Sequence, residues 1–242
     1  MLLEEMTTDE VAAGLKKTQA VIIPYGVLEA HGPHLPLSTD TIQAYDAAKR
    51  AAQLTPVFVA APVPYGVCRS LAGHAGTIGV TCETVRALTR DIVQSMYELG
   101  FRHFILYSGH ASALQLVAME EASEALLRTC PQANIAIVLE FDVIKKQMAG
   151  IIETPGDMHA GEIETSRLLT ARPDLVRTDR LPAESYRESP KPLLARDVKR
   201  YWPSSVEGAP RKASVEKGIK LGQIVAEYLA ELVQRMEQTE PH

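Results

Sequence analysis

A mostly parallel α/β sheet with helices on both faces is the fold this sequence predicts. Two observations carry it. Short apolar runs rich in β-branched residues recur along the chain, and amphipathic stretches of helical length separate them. Strands that alternate with helical crossovers run parallel and bury both faces of the sheet.

The elements follow in order. Thr8 caps a first helix carrying Val11 and Leu15. Residues 20–24, AVIIP, read as a buried strand. Asp40 opens a helix to about Ala52, with Gln43 completing a capping box. Val57 to Ala60 is a second strand, and the Pro- and Gly-rich residues 61–76 form a loop. Thr81 opens a long helix to Leu99, which Gly100 ends as a C′ residue. Residues 103–107, HFILY, form a strand, followed by a helix from about Ser112 to Arg128. Ile135 to Leu139 is another strand, and Gly161 to Thr170 a further helix. Residues 172–213 are proline-bearing and weakly patterned, a length of loop that is usually functional or packed on a partner. From Ser214 to Arg235, Val215, Ile219, Ile224, Val225, Tyr228, Leu229 and Leu232 mark the packing face of a last helix.

Composition narrows the function. With 242 residues the chain can bury roughly 70% or more of its unfolded surface. A net charge of −5 leaves no basic footprint for nucleic acid, and the mildly basic stretch Lys191 to Arg200 reads as a solvated loop face. Cys68, Cys82 and Cys130 are odd in number without C-x-x-C spacing, which argues against a disulfide framework and for a reducing compartment. The N-terminus MLLEEMTTDE lacks the pattern of a secretion signal, and no apolar run approaches the ~20 residues of a membrane span. A cytoplasmic protein is expected. There is no G-x-S-x-G elbow, Walker loop or G-x-G-x-x-G.

In parallel α/β sheets ligands bind beyond the carboxyl ends of the strands, and there the polar clusters lie. Glu29 and His31, two apart in an extended segment, point the same way, and a carboxylate beside an imidazole suits a borderline divalent ion such as zinc or manganese. His34 returns nearby after Gly32 and Pro33. Asp40 can cap its helix and still offer an oxygen to one ion or bridge two. A lone histidine after a strand is more often structural, but His110 opens on the same sheet edge and joins the candidate ligands. In HAGEIETS, residues 159–166, Glu162 and Glu164 suit the first turn of a helix. That does not account for His159, a natural proton carrier near neutral pH. His74 sits among glycines that suggest close approach to substrate or to a neighbouring subunit, or equally a flexible surface loop. His103 reads as structural and His242 as a terminal residue.

EAHGPHLPLSTD, residues 29–40, resembles the signature of the creatininase family. HAGEIETS resembles its second signature, and VEGAPRKA (206–213) with Glu216-Lys217-Gly218 its C-terminal one. The similarity spans nearly the whole chain and is to the family rather than to creatininase itself. It implies a three-layer α/β/α fold with a mostly parallel sheet, one domain over residues 1–242, and a homo-oligomer, often a hexamer. It implies two divalent metal ions (zinc and/or manganese, with iron in some branches) held by Glu29, His31, Asp40 and His110, Asp40 bridging, with His159 as acid/base. Creatininase itself carries a glutamate ligand where Ser112 stands here. The fifth ligand then comes from elsewhere, with Glu164 the candidate and Glu162 the other carboxylate at that junction. Glu164 is also read as catalytic, and His34, His74 and Ser112 as substrate contacts. The implied activity is an amidohydrolase in which a metal-activated hydroxide cleaves a non-peptide C–N bond, cyclic amide or formamide, of a small molecule. The alternatives are an oligomeric metal- or ligand-binding paralogue with little activity, and a peptidase acting on a modified peptide in cofactor maturation.

Overall fold

The computed structural model describes residues 1–188 and 196–239. Residues 191–195 of the basic stretch, and His242, lie outside the described residues. Four parallel strands, β1 (Ala20–Tyr25), β2 (Phe58–Val59), β3 (His103–Ser108) and β4 (Asn134–Leu139), form one sheet in the order β2-β1-β3-β4. The helices are α1 (Thr8–Gly14), α2 (Thr39–Leu54), α3 (Cys82–Glu98), α4 (Ala113–Thr129), α5 (Glu140–Lys145), α6 (Glu162–Ala171) and α7 (Val215–Gln238). Among the described residues, no helix is long and apolar enough to cross a membrane.

The three layers follow from alternation along the strands. Ala20 and Ile22 of β1, with Ile105 and Tyr107 of β3, pack against Ala44, Ala47 and Ala51 of α2 and Leu221, Val225 and Leu229 of α7. Val21, Ile23 and Tyr25, with Phe104 and Leu106, face Val85 and Val93 of α3 and Ala118, Met119 and Leu126 of α4. Every residue of β1 is buried, as expected of a central strand covered on both faces. Truncating Ile22 to Ala would cost about 2–5 kcal/mol.

Three local expectations are corrected. Thr7, not Thr8, caps α1: it accepts from Glu10 N at 3.4 Å while Glu10 Oε2 accepts from Thr7 N at 2.7 Å, a full capping box. Asp40 does not cap α2, which begins after Ser38. Asp40 sits in the first turn with its side chain turned to the sheet edge, and the Gln43 amide points inward to the Gly109 carbonyl at 2.9 Å. A helix the pattern did not reveal, α5, follows β4 without a linking residue. Its first residue, Glu140, is buried and bonded to Tyr107 Oη at 2.8 Å and Arg167 Nε at 2.9 Å.

The weakly patterned stretch is not detached from the core where it is described. Short 3-10 turns carry it, Trp202 and Val206 are buried, and Glu207 pairs with His159 as an isolated antiparallel bridge. The sheet order reverses direction at β1, which has β2 on one side and β3 on the other. Tyr25 at the end of β1 lies beside Ser108 at the end of β3, so the loops that follow open into one crevice.

Candidate metal centre

Two loops and two helices bring their polar residues to that crevice. Glu29 and His31 lie in the loop after β1, which is pinned by Glu29 N to Leu37 O at 3.0 Å and Ala30 N to Thr77 Oγ1 at 3.0 Å. His110 lies just beyond β3. Gly109 is indispensable there, because a Cβ would stand 2.2 Å from the Asp40 carbonyl oxygen. Its absence lets the first turn of α2 close on the end of β3 and set Asp40 between the two loops.

Asp40 Oδ1 is 3.1 Å from His31 Nε2, and its Oδ2 is 3.0 Å from His110 Nδ1. Glu29 Oε1 is also 3.0 Å from His110 Nδ1, and Glu164 Oε2 is 3.5 Å from His31 Nε2. Two sets of donors result, Glu29–Asp40–His110 and His31–Asp40–Glu164, each offering three ligand atoms within 4.8 Å of one another and sharing Asp40. Glu29, His31 and His159 form a third such set.

The imidazoles are oriented by one device. His31 Nδ1 is 3.1 Å from Glu29 O, His110 Nε2 is 3.1 Å from Val67 O, and His159 Nε2 is 2.9 Å from Ala30 O. A carbonyl can only accept, so each of these nitrogens donates, and the ring presents its other nitrogen to the carboxylates. This is how histidine ligands are commonly held. Glu164 is fixed by Ala160 N at 2.6 Å and Gln43 Nε2 at 3.3 Å. Ala160 adopts φ 49°, a strained conformation for a residue with a Cβ, and its amide is spent on this carboxylate.

Electrostatics fit a cation site. Burial works against the protonated forms of His31 and His110. The carboxylates outweigh it, Asp40 and Glu164 at His31, Glu29 and Asp40 at His110, and hold both rings well above the ordinary imidazole range. Burial opposes the ionised form of Glu164 too, but His31 and its other partners bring it down to about 2. Three carboxylates and two imidazoles thus converge in a buried space. His31 Nε2 and Asp40 Oδ2 are buried there without a hydrogen-bond partner, although opposite charges stand about them. Orphaned polar atoms of this kind are costly unless something completes them. A mixed oxygen and nitrogen donor set with a shared carboxylate suits divalent zinc or manganese.

The remaining candidates take separate places. The His159 ring lies 4.1 Å from that of His31 and 5.0 Å from that of Trp202, with Nδ1 3.9 Å from Glu29 Oε1 and 4.0 Å from Glu164 Oε2. His34 is fully buried and bonded to Thr165 Oγ1 at 2.9 Å, and burial brings its pKa down to about 4. His34 thus packs against Thr165 in the first turn of α6. His74 is half-buried, close to the Trp202 backbone and His159. Ser112 is half-buried at the start of α4, and its hydroxyl does not cap the helix. Glu162 points away from the crevice to Thr154 and Lys217. His103 stands at the start of β3, at the opposite end of the sheet.

Sequence reasoning missed Gln43, Cys68 and Trp202 as parts of the site. Cys68 Sγ donates to Glu29 Oε2 at 2.7 Å, and burial, then Glu29, push this thiol well above its ordinary pKa. Nothing in local spacing marks these residues; Trp202 carried one signal, as the sole tryptophan in the chain.

A family model for creatininase, described as creatinine amidohydrolase, matches residues 4–233. The 3-dehydro-scyllo-inosose hydrolase of Thermotoga maritima is 28% identical over 256 residues, covering 95% of this chain and 81% of its own. The mycofactocin precursor peptide peptidase of Mycobacterium ulcerans is 29% identical over 240 residues, covering 92% of this chain and 86% of its own. A solved structure described as creatininase with Mn superposes with a TM-score of 0.89 at 22% identity, covering 97% of each chain.

Proposed function

We propose that this chain, which belongs to the creatininase family, is a hydrolase that cleaves a non-peptide C–N bond of a small cyclic amide or formamide at a two-metal centre. Glu29, Asp40 and His110 would hold one divalent ion, and His31, Asp40 and Glu164 the other. The observation that carries this reading is Asp40, whose two oxygens stand 3.1 and 3.0 Å from imidazole nitrogens of the two separate sets. Such a pair of ions supplies a polarised carbonyl and a water acidic enough to react near neutral pH.

The chain's own residues do the rest. The Ala30 carbonyl holds the Nε2 proton of His159, so Nδ1 is the atom free to take a proton from the attacking water and return it to the leaving nitrogen. Trp202 backs the ring edge-on and, through Nε1 to Val206 O at 2.9 Å, is itself fixed. His74, near His159, and Ser112, two residues beyond His110, would contact the substrate. The buried donors keep bulk water from the carboxylates, which strengthens each charge interaction inside.

A second reading, hydrolysis of a modified peptide, has support in the mycobacterial relative and would use the same centre. The test is metal analysis of the purified protein followed by turnover on cyclic amides, formamides and short peptides. Two bound ions with turnover of a small amide support the proposal. Turnover of peptides alone selects the second reading. One ion or none, with no turnover, leaves a binding module.

A further inference from the structure

The Glu29 carboxylate is shared between two neighbours with different jobs. Its Oε1 lies beside His110 Nδ1 at 3.0 Å, and its Oε2 receives the Cys68 thiol at 2.7 Å. We propose that Cys68 is a positioning residue for the Glu29–Asp40–His110 half of the centre, holding one Glu29 oxygen back so that the other is presented to the ion. The proposal rests on the two-metal reading above. It concerns a cysteine that is free, buried and absent from the three convergent donor sets found among the described residues.

Two features support a positioning role over a chance contact. The first is that Cys68 acts with its neighbour. Val67 O receives His110 Nε2 at 3.1 Å, so two consecutive loop residues orient two of the three ligands in this set. The other set is oriented by different groups, the Glu29 carbonyl at His31 and the Ala160 and Gln43 donors at Glu164. The second is that the segment is clamped before any ligand arrives. Val67 N donates to Gln115 Oε1 at 3.0 Å, and Val80 N to Gly66 O at 2.9 Å. Gly79 lies so near that a Cβ there would stand 2.8 Å from the Cys68 carbonyl oxygen. A thiol on such a segment is placed in advance, as a supporting group must be.

A carboxylate has about four lone-pair directions and turns freely when nothing holds it. Removing the thiol donor therefore loosens one ion and spares the other. The test uses full-length protein loaded with zinc or manganese and titrated with a chelator. Cys68→Val removes the donor with one heavy atom more than cysteine, and Cys68→Ser keeps a donor. Cys68→Val is expected to weaken one ion by about 10–100-fold and leave the second unchanged, with Cys68→Ser restoring most of the loss. Equal weakening of both ions, or Cys68→Ser behaving like Cys68→Val, overturns the proposal. A readout without metal separates this from failure of the two-metal reading. In metal-free protein the S–H stretch of Cys68, taken as the infrared difference between wild type and Cys68→Val, is expected at lowered frequency. It should move in Glu29→Gln. A free-thiol frequency overturns the proposal whatever the metal content.

Discussion

Gln43 Nε2 donates to Glu164 Oε1 at 3.3 Å and, from the same amide nitrogen, to the Gly109 carbonyl at 2.9 Å. One side chain on α2 thus ties the α6 carboxylate to the loop carrying His110. Gln43→Leu removes both donors at similar volume. It should weaken the ion at the Glu164 side by about 10–100-fold. Chelator titration followed by the fluorescence of Trp202, whose ring is 5.0 Å from that of His159, reads the loss. Unchanged affinity would show that Glu164 needs no such support.

His159 separates binding from turnover. His159→Ala should retain both ions and lower kcat by about 10²–10⁴-fold, since a proton carrier is lost and the two proposed ligand sets remain. Metal content and steady-state rates on the same preparation check this. Loss of an ion in this variant would make His159 a ligand, as its place in the Glu29–His31–His159 set allows.

Metal binding should release protons. In metal-free protein the surrounding carboxylates hold His31 and His110 protonated above the ordinary imidazole range. An ion must displace those protons, so affinity rises with pH through neutrality and levels off above the raised pKa values. Calorimetry at pH 7 in buffers of different ionisation enthalpy measures the count. Binding without proton release would contradict the charge assignment.

Among the described residues, Arg167 is the largest fully buried side chain. It pairs with Glu140 at 2.9 Å and Asp46 at 3.2 Å and donates to the Gln43 carbonyl at 3.1 Å. Arg167→Ala strands the buried Glu140 and should cost about 3–5 kcal/mol. Urea unfolding of metal-free protein reads this as a lower midpoint at unchanged slope. A shift equivalent to less than about 1 kcal/mol, the worth of a surface pair, would mean the network is solvated.

The sequence disclosed what local patterning encodes. The apolar runs placed the strands, and Glu29, His31 and Asp40 were legible because twelve residues of chain carry all three. What needed the third dimension stayed open or unseen. Glu162 and Glu164 are two apart on a helix and so face nearly opposite ways; only the packing of α6 decides that Glu164 turns to His31 and Glu162 to Lys217. The Asp40–Gln43 spacing imitates a capping box, yet both side chains are drawn inward by the crevice. Cys68 and Trp202 reach the site from loops whose course no periodicity records. The helix α5 was missed because β4 runs into it without a turn signal.

The two-metal reading turns on the shared carboxylate of Asp40, and the metal content of Asp40→Ala is its sharpest test. Wild type and variant are loaded with zinc or manganese, desalted and analysed for metal per chain. Wild type is expected to hold two ions and Asp40→Ala to lose both, with the fold retained by circular dichroism. One ion or none in wild type, or two ions kept in a folded Asp40→Ala, would contradict that reading.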